Sequence, residues 1–558
     1  MFRKCCFATI VLVMALLAGV AGIFNTTVAA QSFAGQSLNN SEAETYSLRG
    51  TVVNSVTGEG VSGALVRIYL GEGRAVRADA AGKFEIAALH AGTAAVHVSK
   101  PGYFGTEDTP RLVPPISAVI GPDSTPLLLN LVPEGMIYGQ ISGADGEPIS
   151  GIQIQILQQR VMNGRSWRFV TRSLLTDDEG RFRAAELRPG KYFLMAGPEN
   201  LRELANGADS STSTQYGAMF YPGVPEFSEA AAIQIAPGQR AETDFKLAHQ
   251  PLYSVSGVVN GGPPGCKMQL AVLNDIGHGI GNYFVNPNTG EFDAANVPSS
   301  ASSFAAICHD KNERTYSGET GVKLSSNVAN LRVTVVPWAD IPIRVSKENT
   351  NDQPAEGPGQ RNPSSGFVGA AGFAPIVELL AEDYSDTTQM EYYSEAVGKT
   401  DDTLQVIKSV QPGRYDLRGL AHGHYYVESA RSGTVDLFKE SLSVGGGAVA
   451  PVEIVLRDDA ASLTISPQQN GASVPATLLV WPEEAPRLIQ ERKRFQGVPP
   501  RPYTLKPGTY RVLALPTGSS PEYRSSEFLQ RYAAQWQEIT LAANQTATLV
   551  IELAKEPD

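Results

Sequence analysis

The sequence predicts an all-β protein: a tandem array of about five small β-sandwiches behind an N-terminal signal peptide. Three observations carry that expectation. A phrase made of Gly-x-aromatic, an aliphatic residue five positions on, and Pro-Gly-x-Tyr recurs along the chain. The composition, 54 Gly and 37 Pro in 558 residues with 42% hydrophobic and 18% charged, is globular but too rich in turn formers for a helical protein. Short runs of alternating polar and apolar residues recur at regular spacing with turn residues between them, the pattern of sandwiches.

Residues 1–30 read as a secretory signal. Arg3 and Lys4 precede an apolar run from Phe7 to Val20, and Val28-Ala29-Ala30 supplies small residues for cleavage. The rival is an uncleaved anchor, although the run is short for a span of about 20 residues. Cys5 and Cys6 precede the apolar run and make no lipoprotein site. Formal net charge is −12, and loss of two cations with the leader makes it about −14, so the chain has no electrostatic reason to bind nucleic acid. The basic run Glu491–Phe495 reads as a solvated hairpin face. Cys266 and Cys308 remain after cleavage. In an oxidising compartment they read as one disulfide, the rival being a metal pair with His309.

The phrase is clearest in Asp177–Ala196, with Gly180-x-Phe182, Leu187 and Pro189-Gly190-x-Tyr192. Ala80–Ser99 repeats it with Gly82-x-Phe84, Leu89 and Gly92. Gln411–Ala430 aligns through Gly413-x-Tyr415, Leu420, Gly423-x-Tyr425 and Val427. Two eroded copies complete the set: Gly290-x-Phe292 with Val297, and Leu505 with Pro507-Gly508-x-Tyr510. Gly takes the positive φ of a tight turn that delivers the aromatic into a strand, and Pro-Gly makes a second turn into the next strand. The phrase is therefore a strand–turn–strand staple of a sandwich. Each copy has an opening strand and a closing one, so the repeat unit is a whole domain.

The expected organisation is a linker at 31–45 and sandwiches at 46–132, 133–249, 250–337, 338–457 and 458–558. The third would hold the disulfide, and the fourth a disordered Pro/Gly/Asn/Ser-rich insertion at 347–374. A polar loop at 206–217 interrupts the second. The best helical stretch is Ser520–Trp536, with Phe528, Tyr532 and Trp536 on one face.

The openings Leu48–Ile68 and Ile137–Leu157, each followed by Gly-x-Phe, and in the second by Pro-Gly-x-Tyr, resemble carboxypeptidase regulatory-like domains. Gly139, Gly146, Pro148 and Gly151 belong to that pattern. The resemblance is good over 46–132 and 133–248, partial over 250–457, and rests on one turn in 458–556. Met219–Gln239 is similar to a phrase of tandem exported bacterial proteins of this type. The resemblance implies a transthyretin-like (prealbumin-like), Ig-like sandwich. It implies no peptidase activity, because in the namesake enzymes this domain is an accessory to a separate catalytic one.

Catalytic motifs are missing. None of the seven histidines has Glu three residues on, and there is no Gly-x-Ser-x-Gly, His-Glu-x-x-His or phosphate-binding loop. His422 and His424 could hold a metal edge-on, but their place in the second-turn slot of the repeat favours a turn. No catalytic residue, cofactor or metal is expected. The expected function is a secreted, periplasmic or cell-surface scaffold or recognition protein with envelope-protein partners. The alternatives are a polysaccharide binder of starch-binding-like kind, and an accessory subunit of a peptidase or envelope complex. For the glycan reading the candidate stacking aromatics are Trp167, Phe169, Tyr392, Tyr393, Tyr425 and Tyr426, each weighed against core burial.

Overall fold

The computed structural model describes residues 44–70, 72–105, 116–198, 216–348, 376–383, 391–397, 403–420, 425–494, 499–517, 519 and 521–556. The signal peptide, nearly all of the linker, most of the 206–217 loop, residues 349–374 of the insertion, and His422 and His424 lie outside them. Lys347 and Glu348 end a strand, Ala339–Glu348. Among the described residues no helix is long and apolar enough to cross a membrane.

The fold is a tandem series of β-sandwiches, each built from two small sheets on one plan. The opening strand pairs antiparallel with the Gly-x-aromatic strand and parallel with the closing strand. Tyr46–Asn54 lies between Lys83–Leu89 and Leu127–Pro133. Gly135–Ser142 lies between Arg181–Leu187 and Arg240–Glu242, and Leu252–Asn260 between Glu291–Pro298 and Val328–Thr334. Ala339–Glu348 lies between Leu404–Val410 and Val452–Arg457, and Ala461–Gln469 between Tyr503–Leu505 and Thr546–Glu552. A second, antiparallel sheet covers each of these, and inward residues of both form the core. Leu48, Val52, Phe84, Leu129 and Leu131 meet Val66, Ile68, Val96 and Val98 in the first.

The recurring phrase follows from this plan. Asp79 Oδ1 accepts from the backbone N–H of Ala81 and Lys83, and Asp177 Oδ1 from those of Glu179 and Arg181, closing the turn before each strand. Gly82 and Gly180 sit at φ +76° and +68°, and a Cβ there would lie 2.3 and 2.5 Å from carbonyls of the opening strand, Val52 and Ile141. Phe84, Phe182 and Phe292 each stand opposite a glycine of that strand, Gly50, Gly139 and Gly257. The ring fills the space a side chain would need: a Cβ at Gly50 would meet Phe84 at 2.6 Å.

The spacing of five from Phe to Leu is odd, and strict alternation would turn Leu outward. A bulge corrects it. Ala88, Glu186, Asn296 and Ser409 take left-handed φ of 52–57°, and the pairing slips by one residue at each site. Leu89, Leu187, Val297 and Val410 thereby return to the core.

The fourth copy corrects the sequence alignment. Gly413-x-Tyr415 does not open the Gly-x-aromatic strand. It starts Gly413–Leu420 in the second sheet, paired with Ile376–Ala381 and Leu442–Val444. Tyr415 Oη donates to the Gln411 carbonyl at 2.6 Å. Tyr192 donates likewise to Arg188 at 2.7 Å and Tyr510 to Lys506 at 2.6 Å. Pro412-Gly413-x-Tyr415 is thus the Pro-Gly-x-Tyr turn of this copy. Val410, not Leu420, fills the aliphatic slot, and Gly423 of Gly423-x-Tyr425 lies outside the described residues. Gly-x-aromatic occurs in both halves of the phrase, so the two strands are confusable by sequence.

Cys266 and Cys308 form a disulfide with Cα atoms 5.7 Å apart. His309 lies outside it, its Nδ1 3.1 Å from Thr315 Oγ1. The helical stretch is shorter than expected: an α-helix spans Ser526–Arg531 and a 3₁₀ turn Ala533–Gln535. Phe528, Tyr532 and Trp536 do share a face, packed against a cluster of Leu479, Ile489, Leu513, Leu515 and Tyr523.

Candidate functional site

Among the described residues a dense cluster of ion pairs lies at a junction of the second, fourth and fifth sandwiches. Strands Ile152–Met162 and Arg165–Leu175 form a long hairpin. Its two-residue turn is Asn163-Gly164, both at positive φ, 52° and 74°, the sequence that suits a type I′ turn. Glycine is required twice over at the tip, because a Cβ on Gly164 would lie 2.4 Å from the Tyr523 ring of the fifth sandwich.

The tip is held by charge-assisted bonds from far along the chain. The Asn163 carbonyl accepts from Arg524 Nε at 3.0 Å, and Asn163 Oδ1 from Arg418 Nη1 at 2.8 Å. The Gly164 carbonyl accepts from the Arg524 N–H. Arg165 Nη1 donates to the Ala381 carbonyl at 3.2 Å. Arg165 Nη2 pairs with Asp416 Oδ2 at 2.8 Å. Asp416, only 1% exposed, also receives Arg524 Nη1 at 3.1 Å and Arg487 Nη1. Glu382 binds Arg487 at 2.6 Å and Arg414 at 3.0 Å, with Arg165 at 3.8 Å.

The electrostatics of the cluster are mutually supporting. Burial acts to raise the Glu382 carboxyl, but Arg487, Arg414 and Arg165 hold it below the usual range. Burial opposes the Arg487 charge, yet Glu382 and Asp416 lift it above the ordinary guanidinium value. Arg524 is lowered, chiefly by burial. Glu378 is raised by burial, with Arg418 4.0 Å away offsetting only part of that. Each buried ion here has a partner, as its desolvation demands.

Two cavities flank the junction. One of about 500 Å³ is lined by the hairpin tip, Trp481, Arg487, Glu522, Tyr523 and Arg524. The other, of about 940 Å³, lies between the fourth and fifth sandwiches. Among the described residues no group of three or more His, Cys, Asp or Glu is placed to hold a metal ion.

The sequence-derived aromatics are dispersed. Trp167 is 9% exposed, and its Nε1 donates back to the Met162 carbonyl at 3.2 Å. Tyr392 and Tyr426 are 3% exposed. Tyr392 packs edge-on against Tyr415, and the Tyr426 hydroxyl donates to Asp459. These three have no open ring face for a sugar. Phe169 is half-buried, with the Arg160 guanidinium 6.0 Å from its ring. Tyr425 is half-buried, and Tyr393 is exposed at 52%. In the Tyr392-Tyr393 pair one ring goes to the core because consecutive strand residues face opposite ways, whereas Tyr425 precedes its strand and packs against the core of the fourth sandwich. Sequence reasoning missed Arg165, Asp416, Arg487 and Arg524. The local signal that could have found the hairpin tip is Asn163-Gly164 between two alternating runs.

Residues 47–115 match the family model of the carboxypeptidase regulatory-like domain. No curated protein matches the chain. Among solved structures the chain is similar to the Bacillus anthracis TIE protein, with 14% identity, 52% of this chain and 51% of that one covered, and a TM-score of 0.17. It thus spans about half the length of that protein. It is also similar to GBS52, the minor pilin of Streptococcus agalactiae, with 13% identity, 37% and 97% covered, and a TM-score of 0.20. A third is BcpA, the major pilin subunit of Bacillus cereus, with 10% identity, 75% and 99% covered, and a TM-score of 0.13.

Proposed function

From a chain whose residues 47–115 match the carboxypeptidase regulatory-like domain, we propose an exported, non-enzymatic scaffold that presents β-sandwiches to protein partners in the cell envelope. The observation that supports this reading most is the junction at Asp416. Sandwiches joined only by linkers would swing freely, whereas an internal clamp between non-adjacent ones fixes their relative positions, as presentation requires. In this reading the sandwiches are taken to span 46–132, 133–249, 250–337, 338–457 and 458–558. The disulfide fits an oxidising compartment.

Packing between neighbours supports the same reading. Phe193, Met195 and Phe220 of the second sandwich share a cluster with Ile276 of the third. Trp338 Nε1 donates to Ser317 Oγ at 2.8 Å where the third meets the fourth. The polysaccharide reading loses support from the burial of Trp167, Tyr392 and Tyr426. The test is affinity isolation from an envelope fraction with the exported chain as bait, beside electrophoresis in gels containing soluble glycans. Recovery of the same envelope protein with wild type, but not with a chain lacking 133–249, supports the scaffold. Retardation by a glycan with no protein recovered would overturn it.

A further inference from the structure

Resting on that reading, we propose that the cavity of about 500 Å³ beside the junction binds a small organic carboxylate with a flat apolar body. The bound carboxylate locks the hairpin tip against the fourth and fifth sandwiches.

The cavity lies where three sandwiches meet. Gly164, Arg165 and Ser166 come from the hairpin of the second, Lys439 from the fourth, and Trp481, Arg487 and Arg524 from the fifth. Its volume falls within the range of about 300–1,000 Å³ that small-molecule sites occupy, and such sites favour domain interfaces. A ligand bound there touches all three sandwiches and needs the tip in place. A ligand that binds one arrangement alone stabilises that arrangement by mass action.

The lining carries four cations, Arg165, Arg487, Arg524 and Lys439, against one carboxylate, Glu522. Asp416 and Glu382 neutralise part of that charge from outside the lining, but they also serve Arg414, so guanidiniums outnumber them. Lys439 Nζ pairs with Asp436 only at 3.8 Å. The same two acids fix the guanidiniums in place. Arg165 is held through Nη1 and Nη2 by the Ala381 carbonyl and Asp416. Arg487 is held through Nε and Nη1 by the Lys439 carbonyl, Glu382 and Asp416. Among the described residues Arg165 Nε and Arg487 Nη2 have no acceptor, and both side chains are 23% exposed. They are donors already oriented by their other bonds. Charge-assisted bonds to a carboxylate are strong, and fixed donors cost little ordering on binding.

The rest of the wall selects the body of the ligand. Trp481, Ile489 and Leu529 line the cavity beside the cations. Trp481 is half-buried and set edge-on to Trp536, with ring centroids 5.5 Å apart. Inorganic phosphate would use the cations and leave these side chains without contact, whereas a carboxylate on a flat apolar body uses both. Glu522, whose Oε1 receives only Gln159 Nε2 at 3.5 Å, opposes a ligand of high negative charge and favours a single carboxylate.

The test is titration calorimetry of the full chain with cinnamate, beside cinnamamide as its uncharged isostere and inorganic phosphate. Cinnamate should bind saturably with Kd of about 1 mM or tighter, and both controls at least tenfold more weakly. Glu522→Gln should tighten cinnamate binding at least threefold by removing the acid of the lining. Leu529→Trp, which fills the cavity, should weaken it at least tenfold. Neither substitution touches an ion pair of Asp416 or Glu382. Bound cinnamate should also slow hydrogen exchange at residues 163–166. Equal binding of cinnamamide or phosphate, weaker binding to the Glu522 variant, binding unchanged by Leu529→Trp, or no saturable binding would each overturn the proposal. Exchange at residues 163–166 in the free chain reads the junction separately. Protection there without cinnamate binding would sink the site and leave the scaffold reading standing, whereas an unprotected tip would sink the scaffold reading first.

Discussion

Replacing Asp416 with Asn tests the junction with little change of shape. Asp416 is 1% exposed and receives three guanidiniums, Arg165, Arg487 and Arg524. Asn keeps one acceptor oxygen but removes the charge, leaving Glu382 to face Arg165 and Arg487, and Arg524 without a carboxylate partner. Breaking a buried pair by removing one partner costs about 3–5 kcal/mol. Because Arg165 and Arg487 remain 23% exposed in their side chains, water recovers part of this, and about 2–3 kcal/mol is expected. Unfolding of several domains is not two-state, so the readout is native-state hydrogen exchange on Gly413–Leu420 and Ile376–Ala381, beside urea unfolding. A double-mutant cycle with Arg165→Met isolates the hairpin contact and should give a coupling of about 1 kcal/mol or more. If Asp416→Asn changes stability by less than about 0.5 kcal/mol and the two substitutions add independently, the junction does not hold the hairpin.

Other substitutions test the repeat. Gly180→Ala should cost at least about 2 kcal/mol, from left-handed strain plus a Cβ 2.5 Å from the Ile141 carbonyl. Gly146→Ala, at φ +88° with open space around it, should cost only about 1 kcal/mol by the same urea titration. Tyr192→Phe removes the bond to the Arg188 carbonyl and should cost about 1 kcal/mol in thermal unfolding. Cys308→Ala opens a loop of 42 residues and should cost about 4 kcal/mol, reproduced in wild type by reductant. Glu382 is held below its ordinary carboxyl value of 4.5. Its contribution is therefore present above that pH and lost as pH falls through the lowered value. Glu382→Gln should flatten the acid limb of the stability profile, and an unchanged limb would contradict the pairing.

The recurring parts of the fold were legible because they repeat a local physical demand. Gly82, Gly180 and Gly290 answer one turn, and their aromatic partners Phe84, Phe182 and Phe292 cover the glycines Gly50, Gly139 and Gly257. The fourth copy misled because Leu404–Val410 carries no Gly-x-aromatic, so the eye takes the next one, Gly413-x-Tyr415. The left-handed residue before Leu89 and Leu187 follows no residue-type rule: Ala, Glu, Asn and Ser all fill it. The junction was the least legible. Arg165 and Asp416 are 251 positions apart, and charge pairing across domains leaves no periodicity. Trp167 does sit two residues from Phe169 on one strand, but alternation fixes only a shared face, and that face is covered at Trp167.

The most direct test of the central claim is photo-crosslinking in the full chain, with p-benzoylphenylalanine at Met162, an exposed residue beside the hairpin turn. If the tip is clamped, irradiation yields intramolecular crosslinks to the segment around Tyr523 or Arg418. These should be lost in Asp416→Asn combined with Arg165→Met. Crosslinks confined to residues 133–249, or formed only between molecules, would contradict a scaffold held by that junction.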